Sequence, residues 1–395
     1  MVPKRLAAID DDPKICAFIK KVAEGLGYSV FTTSNGEEFL SEIQHAKPTL
    51  ALLDYAMPTE NCAEILRAIG NQGTRSPIVL MSSIDARILR VAQRLGENSG
   101  LKMAGILHKP ILLNDLKVLL GNVDTTEEPS GKEMREAIDK RELVLHFQPI
   151  VHLNGSKPWK IHYLEALVRW QHPTLGLLQP DTFLPVVERE GLFWKLTHIV
   201  LSMALEHLKE WHKENLTPPV AINLPAQMLT DLSFPDEIAE IVNAYGIESH
   251  HLFLEVTETG AMEDAVRALD VLTRFRLKGF ALSMDDFGTG YSSLLQLYRM
   301  PFSQLKIDRS FIQDAGSDEE ARAIVRASTD LAHNLELTVC AEGVENAAAL
   351  QFLTELGVDT AQGYYICRPA PADKLAEIML KWQDDPNLLG SGPIN

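Results

Sequence analysis

The chain reads as α/β throughout and as two domains in tandem, an open doubly wound parallel sheet followed by a modified (β/α)8 barrel whose first strand runs antiparallel. Three observations predict this. At 395 residues it is longer than a single core normally grows. Short apolar runs at 6–9, 50–53, 78–81 and 105–107 alternate with amphipathic stretches such as 15–26, the pattern of a parallel sheet covered by helices on both faces. Beyond a polar break between Gly121 and Gly131 come eight strand-like runs, at 143–149, 161–169, 220–223, 253–256, 281–284, 305–307, 338–341 and 364–366. Helix-sized segments separate most of them, and eight such units in about 250 residues is the size of a closed barrel.

The boundaries follow from local chemistry. The break is made of Asn, Asp, Thr, Glu, Pro and Ser, which bury too little surface to form a core. It therefore serves as a linker at 122–131, between domains at 4–121 and 132–382, with a tail at 383–395. Only Asn154-Gly155 and a short polar stretch join the first two barrel strands, too little chain for a crossover helix, so these strands should form an antiparallel pair. Leu294, Leu295, Leu297 and Tyr298 recur at helical spacing and read as a core stripe.

Composition removes several classes of function. Hydrophobic residues at 46% and charged residues at 23% are ordinary globular usage, which excludes a disordered or fibrous chain. Lys and Arg total 37 against 54 Asp and Glu, and a net charge of −17 argues against direct nucleic-acid binding or a grip on anionic membrane. An anionic ligand would then need a local cation, which carboxylate-held metal ions would supply. The four cysteines form no C-x-x-C pair, so reduced thiols are expected. No run approaches the roughly 18–20 apolar residues of a membrane span, and residues 1–8 lack the apolar stretch of a signal peptide. We expect no membrane insertion and a cytoplasmic location.

In the first domain, Asp10 and Asp11 close the first strand, Asp54 the third, Ser82 follows the fourth and Lys109 the fifth. These tips share one edge of an open α/β sheet, where ligands bind. Three converging carboxylates repel one another unless a hard cation such as Mg²⁺ joins them. An aspartyl phosphate at Asp54, with Ser82 and Lys109 on its oxygens, is then chemically reasonable. With I-D-D-D-P, L-L-D-Y-A-M-P, V-L-M-S-S and L-H-K-P in this order, residues 4–121 resemble the flavodoxin-like receiver domain of response regulators. The resemblance implies phosphorylation of Asp54 by a cognate sensor histidine kinase, with one Mg²⁺ in the pocket. Two departures stand out: Asn61-Cys62 where a Gly is usual, and Ile106 where an aromatic switch residue is usual.

In the second domain, carboxylates and amides end strand after strand: Glu165, Asn223, Glu255, Asp285 with Asp286, Asp308 and Glu342. Acidic groups gathered at one end of a barrel make a metal cage, and oxygen ligands without His or Cys favour Mg²⁺ or Mn²⁺. Adjacent Asp285 and Asp286 can share a site only where the strand has ended, and Gly288 and Gly290 suggest that it has. Two ions so held suit in-line phosphoryl displacement, and Lys306, two residues before Asp308, could orient water or phosphate. The segment E-A-L-V-R at 165–169 is joined by F-Q-P, A-I-N-L, E-V-T-E, M-D-D-F-G-T-G-Y-S-S-L, L-K-I-D, A-E-G-V-E and Q-G-Y. Over 132–382 the chain thus resembles the EAL family of cyclic-di-GMP phosphodiesterases. The resemblance implies two metal ions on Glu165, Asn223, Glu255, Asp285, Asp286 and Glu342, with Lys306 and Gln362 beside the attacking water. Glu342 or Lys306 would assist deprotonation. Gln148, Leu167 and Arg169 would contact the substrate, Arg169 through its paired donors. Glu258 would hold the loop 287–293, with a helix-start carboxylate as the rival reading. Asp308 and Glu345 would support the site.

The function expected is a response regulator that opens cyclic di-GMP to linear 5'-pGpG under receiver control, as a homo-oligomer. The alternatives are a cyclic-di-GMP receptor that binds without cutting, and a barrel that only scaffolds the receiver. The intact carboxylate set favours the enzyme.

Overall fold

The computed structural model describes residues 4–58, 61–74, 76–83, 89, 91–93, 95–96, 99–121, 129–153, 160–290, 294–315 and 318–384. It divides into two compact units, 1–127 and 128–395. The expected turn at Asn154-Gly155, most of the expected linker (122–128) and most of the expected tail (385–395) lie outside the described residues.

The first unit is a five-stranded parallel sheet: β1 (Arg5–Ile9), β2 (Ser29–Thr33), β3 (Leu50–Asp54), β4 (Ile78–Ser82) and β5 (Met103–His108). Their order, β2-β1-β3-β4-β5, is the flavodoxin-like doubly wound order. β3 and β4 are buried at every residue, which is why they read as unbroken apolar runs. β2 has no such run; its S-V-F-T-T lies at the sheet edge, exposed or half-buried. Ile9, Phe39, Leu53, Leu66 and Leu80 pack on one face of the sheet, and Leu6, Ile19, Leu52, Met81 and Leu116 on the other. Ile106 packs against the first of these clusters. Asp12 caps the helix Pro13–Gly25, and Pro13 fits its first turn because no intrahelical N–H is needed there.

The second unit opens with the helix Gly131–Lys140, started by a reciprocal capping box between Ser130 and Glu133. The barrel strands are β6 (Leu143–His152), β7 (Ile161–His172), β9 (Val220–Asn223), β10 (Leu252–Thr257), β11 (Ala281–Phe287), β12 (Gln304–Ile307), β13 (Thr338–Ala341) and β14 (Thr360–Ala361). The short β8 (Gly176–Leu178) extends β7, and β15 (Ala370–Pro371) adds to β6. Among the eight barrel strands β6 pairs antiparallel with β7 and β14 and every other neighbouring pair is parallel, the short β8 and β15 add antiparallel, and the β6–β7 pairing closes the ring. The antiparallel start is as the sequence requires.

One strand is not where the sequence suggested. The run 364–366 is a turn, closed by the N–H groups of Ile366 and Cys367 on the Gly363 carbonyl, and the eighth strand is β14, a few residues earlier. Only two residues long and carrying a threonine, β14 has too little apolar sequence to outweigh the neighbouring Tyr-Tyr-Ile. The stripe at 294–298 also differs: Leu297 is buried, whereas Leu294, Leu295 and Tyr298 are exposed. A helix of six residues, Leu294–Arg299, covers its neighbours with one side chain per turn.

Strand alternation positions the site. On β10, Leu254 and Val256 pack outward against helices while Glu255 faces the barrel axis; on β12, Leu305 and Ile307 pack outward while Gln304 and Lys306 face inward. Among the described residues no helix is long and apolar enough to cross a membrane.

Candidate functional site

Lys306 stands at the centre of the barrel mouth, with no exposed surface. Its Nζ lies 2.6 Å from Glu342, 3.0 Å from Glu255, 3.2 Å from Asp285 and 3.9 Å from Glu165. Burial alone would lower its pKa, but the surrounding carboxylates outweigh that and hold it well above the usual lysine value. Burial pushes Glu255 up to about 8, opposed by Lys306 and reinforced by the charges of Glu165 and Asp285. Glu342 is raised too, first by burial.

Asp285 and Asp286 share the site by a different device from the one expected. β11 has not ended: it runs on to Phe287, and its register with β12 shifts between Met284 and Phe287. Asp286 sits at φ 56°, a left-handed conformation that Asp tolerates better than most residues. This bulge cancels the alternation, so oxygens of Asp285, Asp286 and Glu342 come within 4.8 Å of one another. Burial, then the charges of Asp285 and Asp308, raise Asp286 to about 6.

The residues fit a divalent pair. Four carboxylates lie within 4.0 Å of one buried ammonium with Asp286 beside two of them, all expected ligands are oxygens, and Gln362 Oε1 is buried without a partner among the described residues. Glu165 accepts from Asn223 Nδ2 at 3.1 Å and from Gln362 Nε2 at 2.6 Å, and that same Nε2 reaches Gln148 Oε1 at 2.8 Å. One cluster thus contains Glu165, Asn223, Glu255, Asp285, Asp286, Lys306, Glu342, Gln362 and Gln148. Asp308 lies just outside, capping the helix Arg309–Asp314, and Glu345 accepts from Gln313 Nε2 at 2.8 Å.

Glu258 unites its two readings. It is the first residue of the helix Glu258–Glu263, and its Oε2 accepts the backbone N–H of Gly288 at 2.9 Å and of Gly290 at 3.2 Å. A Cβ on Gly290 would stand 2.8 Å from the Glu258 carboxyl, so glycine is what lets that backbone approach. Residues 291–293 of this loop lie outside the described residues.

Beside the cage opens a cleft of about 240 Å³ lined by Gln148, Leu167 and Arg169, as expected, and also by Arg309, Gln313, Tyr364 and Pro369, which the sequence reading missed. Arg309 directly follows L-K-I-D, so its place after a strand end was a legible signal. Tyr364 was instead absorbed into a supposed strand.

In the first unit, Lys109 Nζ lies 2.8 Å from Asp10 Oδ2 and 2.7 Å from Asp54 Oδ2. Asp10, Asp54 and Ser82 are buried and Asp11 is exposed; oxygens of the three aspartates lie within 4.8 Å. Burial raises the Asp10 carboxyl against the pull of Lys109. Asn61 caps the helix Cys62–Asn71, and the Cys62 thiol donates to the Asp54 carbonyl at 3.1 Å, so this departure ties the helix start to the end of β3.

The EAL domain family matches residues 132–369, and the response regulator receiver domain matches 6–120. The chain belongs to the EAL domain family. Its N-terminal unit is a receiver domain. The EAL region is 41% identical over 244 residues to the bifunctional diguanylate cyclase/cyclic di-GMP phosphodiesterase MucR of Pseudomonas aeruginosa, covering 62% of this chain and 35% of that protein. Receiver and EAL domains together are 30% identical over 365 residues to the cyclic di-GMP phosphodiesterase RocR of the same organism, covering 89% of this chain and 92% of RocR. The chain spans only about a third of the length of several curated relatives it matches. A solved c-di-GMP complex of the PaMucR phosphodiesterase superposes with a TM-score of 0.59 at 41% identity, over 62% of this chain and 98% of that one.

Proposed function

We propose that the EAL barrel hydrolyses cyclic di-GMP to linear 5'-pGpG, and that phosphorylation of Asp54 in the receiver regulates it. The observation that carries this is the excess of inward carboxylates over the single ammonium of Lys306, beside a cleft bearing Arg169. Glu165, Asn223, Glu255, Asp285, Asp286 and Glu342 would hold two Mg²⁺ or Mn²⁺ ions. When bound, these neutralise charge on both the attacking and the leaving oxygen of an in-line displacement.

The chain's own groups do the rest. Arg169, with Gln148 and Leu167, positions the substrate, the guanidinium pairing with phosphate oxygens. Gln362 Oε1 accepts a hydrogen bond from the incoming water and so orients it. Lys306, the cation among these carboxylates, donates to the phosphoryl oxygens, and either it or Glu342, 2.6 Å away, assists removal of the water's proton. Asp10, Asp11 and Asp54 would hold one Mg²⁺ in the receiver, with Ser82 and Lys109 on the phosphoryl oxygens.

The test is to incubate the full chain with cyclic di-GMP and Mg²⁺ or Mn²⁺ and resolve the products. We expect 5'-pGpG, none in excess chelator, and inhibition by Ca²⁺, whose looser coordination misplaces the water. Tight binding of cyclic di-GMP without any product would make the barrel a receptor instead.

A further inference from the structure

One layer below the carboxylates, the barrel interior holds a second polar group that none of the expected roles uses. Tyr163 lies on β7 two residues before Glu165 and on the same inward face. It has no exposed surface and packs in a layer with Ile150, Ala221 and Cys340. Its ring stacks on Phe253 with centroids 4.3 Å apart and planes 11° from parallel, which fixes where the hydroxyl can stand.

That hydroxyl has one proton and faces two acceptors, Gln304 Oε1 at 2.6 Å and Glu255 Oε1 at 3.4 Å. Ser283 Oγ also donates to Gln304 Oε1, at 2.9 Å, while Gln304 Nε2 is buried with no partner among the described residues. Two hydroxyls thus crowd one amide oxygen beside an idle NH₂ group. With the amide turned over, its two N–H hydrogens meet the two hydroxyl oxygens, a carbonyl oxygen takes the unpartnered place of the NH₂ group, and the Tyr163 proton is released toward Glu255. The result is a head-to-tail chain from Gln304 through Tyr163 to Glu255 Oε1, while Glu255 Oε2 keeps Lys306 Nζ at 3.0 Å.

We propose that Tyr163 is a positioning residue that fixes Glu255 for divalent-metal binding by donating its phenolic hydrogen bond to Oε1, with Gln304 holding the phenol in that orientation. The role rests on the metal-dependent reading of the barrel. It makes Tyr163 an outer partner of a ligand, a kind of residue whose loss weakens metal sites by ten- to a hundred-fold.

The experiment uses the full chain and its Tyr163→Phe variant, which keeps the ring and its stacking. Mn²⁺ affinity is measured by calorimetry without substrate, together with the Mn²⁺-induced shift in Tm; kcat and KM for cyclic di-GMP are measured against Mn²⁺ concentration. The variant should bind Mn²⁺ about ten-fold more weakly. It should show a smaller Mn²⁺-induced shift in Tm, regain kcat as Mn²⁺ is raised, and keep the wild-type KM. Phe253→Leu, which keeps the hydroxyl but removes the ring that fixes it, should weaken Mn²⁺ binding in the same direction by less. Wild-type Mn²⁺ affinity in both variants overturns the proposal. A wild-type chain that binds Mn²⁺ but cleaves nothing overturns the hydrolase reading instead, and leaves the calorimetric comparison to decide the role of Tyr163.

Discussion

Lys306 offers three N–H donors to four carboxylates, three on strands and Glu342 just past the end of β13, so no single geometry satisfies them all, and its nearest partners are Glu342 and Glu255. Its charge matters more than any one bond, since like-charged groups this close cannot all stay ionised in a buried site without cations. Stability should therefore depend on pH in a distinctive way. Glu255 has an unfolded pKa near 4.5 and a folded one of about 8, so the native state holds more protons across that interval. Its contribution is full below the unfolded value and is lost as pH rises through the folded one. The half-buried His152, His162 and His207, with His162 lowered to about 4, act oppositely but finish near their ordinary value of 6.5. Between pH 6.5 and 8 the carboxyls are left to dominate. In chelator, the Tm of the full chain should fall over that window, and saturating Mn²⁺ should raise Tm more at pH 8 than at pH 6.5. A metal-free Tm that rises from pH 6.5 to 8 would contradict the reading of Glu255.

At the scale of elements, the site depends on two irregularities that regular strand geometry does not contain. One is the bulge at Asp286; the other is the loop after β11, whose Gly288 and Gly290 N–H groups both end on Glu258. An ionised acceptor shared by two backbone donors is worth more than a neutral one and fixes the loop relative to the helix Glu258–Glu263. Glu258→Ala should lower kcat about ten-fold or more, equivalent to 1.4 kcal/mol in the barrier, and Glu258→Gln, which keeps an acceptor oxygen, should recover part of it. Steady-state kinetics equal to wild type in the alanine variant would reduce Glu258 to a charge at a helix start. The same elements show what was legible in the sequence. Alternation and strand ends identified Glu165, Glu255, Lys306 and Glu342, because a side chain's face follows from its parity. Parity failed at Asp285 and Asp286, where a left-handed residue breaks the period, and the glycines that suggested a strand end in fact mark the clamped loop. β14 was missed because two residues carry no period, and Tyr163 was missed because an inward tyrosine on a barrel strand looks like core until its hydroxyl partners are known.

For the whole molecule, the receiver pocket and the EAL cage answer the same electrostatic problem in the same way, with one lysine set among several carboxylates. In the receiver, Lys109 bridges Asp10 and Asp54 at 2.8 and 2.7 Å, so the proposed phosphoacceptor is engaged by the cation expected to meet its phosphate. Phosphorylation of Asp54 would replace one carboxylate charge by a larger one with three acceptor oxygens and draw Lys109 and Ser82 toward it. Ile106 stands where the resemblance places an aromatic switch residue and packs half-buried against the core, which takes away a ring that could swing between two sites. Coupling to the barrel should therefore be modest, of order the 1–3 kcal/mol typical of allostery or less, corresponding to at most about 150-fold in affinity. The measurement is the steady-state hydrolysis of cyclic di-GMP by the full chain with and without a small phosphoryl donor, beside Asp54→Asn and with mass spectrometry to verify the modification. The donor should change kcat or KM in the wild type and leave Asp54→Asn unaffected. If Asp54 is demonstrably phosphorylated and rate, affinity and oligomeric state all stay constant, the receiver does not govern this barrel through its aspartate. If the donor shifts both proteins equally, the effect belongs to the donor's chelation of Mg²⁺, a possibility that repeating the assay at fixed free Mg²⁺ removes.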